Sequence, residues 1–305
     1  MSEYPDFDAY SPAQIAERVE KAGVAKARMP LLQTLMMGVM AGAFIGLGAL
    51  YFTIVASDST LPFAVSRVLG GIAFSLGLIL VVVAGAELFT GNNLMVMAWA
   101  DGRIGTTELL RNWVLVYCAN AAGAAGLALL VYLSHHADLN QHAIANAYIR
   151  IAVAKTALPF AEAFFKGVLC NALVCLAVWL ALAGHSVTDK ILAIVFPVSA
   201  FVAAGFEHSI ANMYFIPLGM LLKSDGVVPA TIDAPTLNWQ GFAANLLPVT
   251  LGNIVGGSVM VALVYYVIYR QREKISARRR VSRSPLLRSS HRLRGADSRS
   301  AAPAA

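Results

Sequence analysis

GFEHSIANM, residues 205–213, sets Glu207 and His208 side by side inside a stretch that is apolar for most of a membrane's thickness. An isolated charge moved into such a medium faces, in the Born limit, a penalty on the order of tens of kcal/mol, so ionisable groups at that depth are paired, hydrated or functional. A second stretch, AELFTGNN at residues 86–93, interrupts another apolar run in the same way. Gly85-x-Glu87 with Asn92 and Gly205-x-Glu207 with Asn212 share one spacing, each pair offset by 120 residues. Weaker echoes surround them. Met37-Gly38-Val39 before Gly42 matches Lys166-Gly167-Val168 before Asn171, and Asn120-x-x-Gly123 matches Asn253-x-x-Gly256. The pattern is that of a duplication. Leu88 stands in the first copy where the second has His208.

Composition decides the class. The 305 residues are 58% apolar and 13% charged, against about half and roughly a quarter in a soluble domain. Apolar runs able to span a membrane, about 20 residues each, occur at roughly 31–55, 65–100, 112–134, 159–183, 190–222 and 241–269. The second and fifth exceed one span and hold the two interruptions, so they read as broken helices. Three crossings repeated as three place the second half in the membrane upside down, an inverted repeat whose breaks meet near the midplane. The predicted fold is therefore an all-α integral membrane protein of six helices in two inverted three-helix halves.

Ser11-Pro12-Ala13-Gln14 fits a capping box with proline at the first helical position, and Ile15, Val19 and Ala22 recur on one side. A short interfacial helix is expected within residues 1–30, ahead of a channel domain at 31–269 and a basic tail at 270–305. From Arg270 onward the chain holds 11 of its 23 Lys and Arg and two of its 17 acids, which leaves residues 1–269 at −3. The basic excess belongs to the tail, and no nucleic-acid surface is expected of the core. The tail, rich in Arg, Ser, Ala and Pro, is expected to be disordered. Arg18, Lys21, Lys26, Arg28, Arg103 and Arg111 join it in placing both termini in the cytoplasm. Residues 1–28 lack a leader-type apolar segment, so no secretory leader is expected. Cys118, Cys170 and Cys175 lie within apolar runs without metal or disulfide spacing.

A helix broken in mid-membrane frees amides and carbonyls that must be buried in protein or line a cavity. Glu87 and Glu207 are expected to accept hydrogen bonds from those amides and hold each break in shape. His208, without a counterpart, is assigned to the pore. Gly38, Gly42 and Gly46, with Gly252, Gly256 and Gly257, allow close helix packing around a thin passage.

With these residues assembled, the chain resembles the formate/nitrite transporter family, through AELFTGNN at 86–93, KGVLCNALVCLAVW at 166–179, GFEHSIANM at 205–213 and GNIVGG at 252–257. The resemblance covers residues 10–270. It implies an aquaporin-like fold, a pentamer in the bacterial inner membrane in contact with lipid, one pore per subunit, no cofactor, and passage of small monovalent anions such as formate, nitrite or hydrosulfide. By position, His208 matches the family's central pore histidine and Thr90 its partner on the broken second span. Asn171 and Lys155 match residues that attract and orient the anion. Phe74, Leu78, Leu88, Phe89 and Phe201 match the apolar constrictions, and Glu207 and Asn212 the support of the histidine. GGIAFSLGLIL and PLGM are similar to formate channels, AELFTGNN and FFKGVLCN to nitrite or hydrosulfide relatives; formate leads. A water or glycerol channel is the alternative, but neither break carries the Asn-Pro-Ala turns of aquaporins. An enzyme is disfavoured by the absence of HExxH, GxSxG and paired Cys-His ligands.

Overall fold

A computed structural model of the protein describes residues 9–229 and 231–271. It is all helical. After α1 (Pro12–Ala27) and α2 (Leu31–Ala56), α3 (Phe63–Gly85) ends in a π-helical turn at the first break. The chain resumes in two short pieces, α4 (Phe89–Asn92) and α5 (Val96–Ala100), before α6 (Thr106–Leu133). The second half follows as α7 (Ala143–Thr156), α8 (Phe160–Ala183), α9 (Val187–Ala204), the second break, α10 (Ser209–Ser224) and α11 (Trp239–Gln271). Six of these, α2, α3, α6, α8, α9 and α11, are long and apolar enough to cross a membrane. Large apolar side chains such as Leu32, Val114, Phe165, Phe196 and Leu247 are exposed on the outside of the bundle. The chain is a multi-pass membrane protein.

Pro30, Pro62 and Pro159 stand immediately before α2, α3 and α8, where a missing amide leaves no helical bond unmade. Inside the bundle, small residues set the spacing. A methyl group added at Gly42 would land on the carbonyl oxygen of Asn120, and one at Gly123 on that of Val39, so α2 and α6 touch backbone to backbone. Gly252 meets the Phe164 carbonyl and Gly256 the Val168 carbonyl in the same way between α11 and α8. Along the contact of the two halves, α3 packs against α9.

Both breaks begin at a glycine in the left-handed region, Gly85 at φ 87° and Gly205 at φ 76°, a conformation that other residues rarely adopt. Three residues of extended or irregular chain then lead into the next helix.

Two features differ from the sequence-based expectation. Residues 143–156, which follow the polar loop of His135, His136 and His142 and lie between the expected third and fourth spans, form α7, with Tyr148 and Ile149 buried. Too short to cross, α7 buries its apolar side in protein instead of lipid. The amino-terminal helix has the expected capping box, Ser11 with Gln14, but docks on the bundle: Ile15, Ala16 and Val19 bury against Met95, Ala98 and Trp179, and the buried Glu20 binds Arg270 at 3.0 Å. The helix is a packed element of the bundle. Most of the expected tail, 272–305, lies outside the described residues.

α1 and α7 are counterparts. Val24-Ala25-Lys26 with Pro30 and Val153-Ala154-Lys155 with Pro159 share one spacing. Each repeat therefore opens with one short helix ahead of its three crossings.

Candidate functional site

At each break one freed amide is taken by an asparagine rather than by the glutamate expected to accept it, and the Glu87 and Glu207 amides reach the Met37 and Lys166 carbonyls. Asn120 of α6 accepts from the Phe89 amide at 2.9 Å and donates to the Gly38 and Glu87 carbonyls. Asn253 of α11 does the same for the Ser209 amide at 3.0 Å and the Gly167 and Glu207 carbonyls. An asparagine side chain offers both a donor and an acceptor without carrying charge, which suits it to a buried, broken backbone.

The glutamates do something else. Glu87 accepts from Lys26 at 2.6 Å and from Asn92 at 2.8 Å. Glu207 accepts from Lys155 at 2.9 and 3.1 Å and from Asn212 at 2.7 Å. Asn92 continues to Asn112, and Asn212 to Asn245, whose amides return to the Lys26 and Lys155 carbonyls. A buried carboxylate needs a counter-charge first, and the two short helices deliver one lysine each. Lys26, counted among the bases that orient the chain, is thus an internal partner of Glu87. The halves differ in how the lysine is held: the Asn92 side-chain oxygen accepts from Lys26, whereas Lys155 reaches both Glu207 oxygens and the Asn212 oxygen is buried without a partner among the described residues.

Lys26, named for its charge alone, and Asn112 and Asn245 are not among the site residues expected from the sequence. The shared Val-Ala-Lys spacing, and the common interval from Asn112 to Asn120 and from Asn245 to Asn253, are the signals that find them.

Where the copies diverge, at Leu88 and His208, both residues stand at the N-cap position of the helix that follows, and His208 caps it with its side chain. The His208 Nδ1 atom accepts from the Ala211 amide at 3.2 Å, and Nε2 lies 3.0 Å from the Thr90 hydroxyl. Accepting at Nδ1 places the proton of the neutral ring on Nε2. Nε2–H then donates to the Thr90 oxygen, leaving the hydroxyl hydrogen free to donate onward. Both residues are buried.

A cavity approaches the pair from each side. On the α1 side, about 260 Å³ is lined by Val19, Lys26, Leu78, Glu87 and Leu88 among others. On the α7 side, about 470 Å³ is lined by Arg67, Phe74, Lys155, Phe201, Glu207 and His208 among others. The cavities share no lining residue. Phe74 and Leu78, one helical turn apart on α3, line different cavities. Phe74 and Phe201 meet edge to face at 5.9 Å, and Phe201 stacks on the His208 ring at 6.2 Å.

Four of the expected site residues, Thr90, Phe89, Asn171 and Asn212, line neither cavity; Thr90 meets His208 and Asn212 meets Glu207. Phe89 packs on Trp113 and Tyr117 of α6. Asn171 donates to the Thr90 carbonyl, Asn93 and the Asn253 carbonyl, which ties α4 to α11.

Known proteins share this architecture. Residues 13–267 match the formate/nitrite transporter family. Over 277 residues the chain is 43% identical to the formate channel FocA of Escherichia coli K12, covering 86% of this chain and 95% of that one. The formate channel FocA of Haemophilus influenzae is 36% identical over 270 residues, 84% of this chain and 93% of the relative. Among solved structures, a pentameric formate channel with formate bound superimposes with a TM-score of 0.72 at 37% identity, covering 78% of this chain and 97% of that chain. These relatives are channels rather than enzymes, and with a match across most of its length this chain belongs to the formate/nitrite transporter family.

Proposed function

We propose that the protein passes small monovalent anions, formate foremost, across the bacterial inner membrane, as a homopentamer bearing one passage per subunit. In this reading both termini and α1 face the cytoplasm, α7 faces outward, residues 31–269 form the channel, and residues 1–30 and 270–305 are cytoplasmic. The observation that carries it is the buried Thr90–His208 pair between two cavities that stop short of each other. Phe74 and Phe201 on one side, and Leu78 and Leu88 on the other, form the apolar constrictions.

An anion cannot cross such walls bare, because desolvation exceeds any thermal energy. It needs a donor at the centre, and the pair supplies one: the Thr90 hydroxyl hydrogen, freed because the Thr90 oxygen accepts the imidazole N–H, at the amino end of α10 where the helix dipole is positive. A ring that has taken up a second proton from solution can pass one to the anion and return to its neutral form, and the acid then leaves across the apolar walls without its charge. The Nδ1 lone pair cannot hold both the Ala211 amide and a proton. A fully protonated ring therefore releases its cap, which couples proton uptake to the start of α10. Glu87, Glu207, Asn212 and Asn171 hold the two breaks in place around the pair.

The test is uptake of radiolabelled formate by liposomes containing the purified protein, with unlabelled nitrite, hydrosulfide and acetate as competitors. Formate is expected to enter, and small monovalent anions to compete. Osmotic swelling with glycerol in the absence of formate uptake would overturn the reading.

A further inference from the structure

The cations lining the α7-side cavity are Arg67, Lys155 and Lys166. Lys155 is neutralised by Glu207 through both carboxylate oxygens, and Lys166 pairs with Glu162 one turn earlier at 2.6 Å. Arg67 has no carboxylate partner among the described residues. Its Nε and Nη2 atoms instead donate to the carbonyls of Ala203 and Val202 at 2.8 and 2.9 Å, the last turn of α9 before the second break. Those neutral acceptors take two of the five guanidinium N–H groups and cancel none of the charge. On the α1 side, the lining cation Lys26 is paired with Glu87.

Resting on the anion-passage reading above, we infer that Arg67 is the anion-recruiting residue of this protein, and that it serves the α7-side vestibule alone. A lone positive charge in a cavity with apolar walls raises the local concentration of anions, and the effect is screened by salt. The three remaining N–H groups are enough to hold a carboxylate at the mouth before it meets Phe74, Phe201 and the central pair. Fork geometry favours planar carboxylates, which suits formate. The duplication gives no reason for Arg67 to be there: Val187 stands 120 residues on, just as Leu88 stands opposite His208. Arg67 at the mouth and His208 at the centre, neither matched 120 positions away in the other copy, both belong to the second break and its vestibule.

The carbonyl bonds give Arg67 a packing role too, so a second variant separates charge from packing. Phe63, exposed and lining the same cavity, lies one turn before Arg67 on α3. Phe63→Glu places a carboxylate four residues ahead of the arginine, the spacing at which such pairs form, without touching the Ala203 and Val202 bonds. Phe63→Gln controls for the lost ring. With the full-length protein in liposomes, Arg67→Gln and Phe63→Glu are each expected to raise the half-saturating formate concentration about three- to tenfold relative to wild type and Phe63→Gln. They should also flatten the fall of subsaturating uptake with added sodium sulfate, while the maximal rate changes less than twofold. Unchanged half-saturation and salt dependence in Phe63→Glu overturns the inference, whether or not Arg67→Gln assembles. Absence of formate uptake by wild type would instead overturn the transport reading on which the inference rests.

Discussion

Lys155 and Glu207 show how a charge is kept inside this bundle. Glu207 is 5% exposed, and its two oxygens are occupied by one ammonium and one amide. Removing one partner of such a pair strands the other, at about 3–5 kcal/mol, whereas replacing both with neutral groups is tolerated far better. Lys155→Met is therefore expected to lower the apparent unfolding midpoint of the purified protein strongly, and addition of Glu207→Gln to restore most of it. Equal midpoints for the single variant and wild type would contradict a structural role for the pair. Lys26 and Glu87 obey the same logic in the first half, with Asn92 sharing the ammonium. His208 is the residue at which this economy is relaxed. It is buried, its ring touches Thr90 and Ala211, and no carboxylate lies within ion-pairing distance of it among the described residues.

At the scale of elements, a broken helix survives because its neighbours meet it at backbone distance. Asn120 reaches both the Gly38 carbonyl of α2 and the Glu87 carbonyl of the first break because α2 and α6 touch at Gly42 and Gly123. Gly123→Ala forces a methyl group into the Val39 carbonyl, an overpacking penalty of about 1–3 kcal/mol where the opposing atom is backbone and cannot rotate away. Gly126, three residues on in the same helix, has nothing within reach of an added methyl group. Gly123→Ala is expected to reduce the yield of correctly assembled protein on size-exclusion chromatography, and Gly126→Ala to leave it unchanged or slightly improved through helix propensity. Equal behaviour of the two would show that the close approach is not what holds the break.

For the whole molecule, six crossings, two interruptions and their inversion were legible because hydropathy over about 20 residues and the position of polar groups within it are one-dimensional signals. The matched Glu87 and Glu207 could be read from the same register. What was hidden depends on three dimensions. α7 is too short to cross, so its apolar residues look like a loop until its Tyr148 and Ile149 are seen buried. The pairing of Lys26 with Glu87 joins residues 61 apart and that of Lys155 with Glu207 residues 52 apart, and no local spacing reports it. The glutamates looked suited to cap freed amides. Neutral Asn120 and Asn253 take that role, because each glutamate is claimed by a lysine first. Phe89, just after the first break, turns to Trp113 of α6, and Asn171, midway along α8, is taken up by the Thr90 carbonyl, contacts that no local pattern reports.

The central claim is that anions pass the imidazole at the meeting point of the two halves. It is tested most directly by measuring formate uptake into liposomes across pH 5–8 for wild type and His208→Phe. The variant keeps an aromatic ring at the site but removes the N–H donor and the protonatable nitrogen. Wild-type uptake is expected to vary with pH, and the variant's to be lower and to have lost or altered that dependence. Unaltered uptake at every pH would remove His208 from the path and contradict the account.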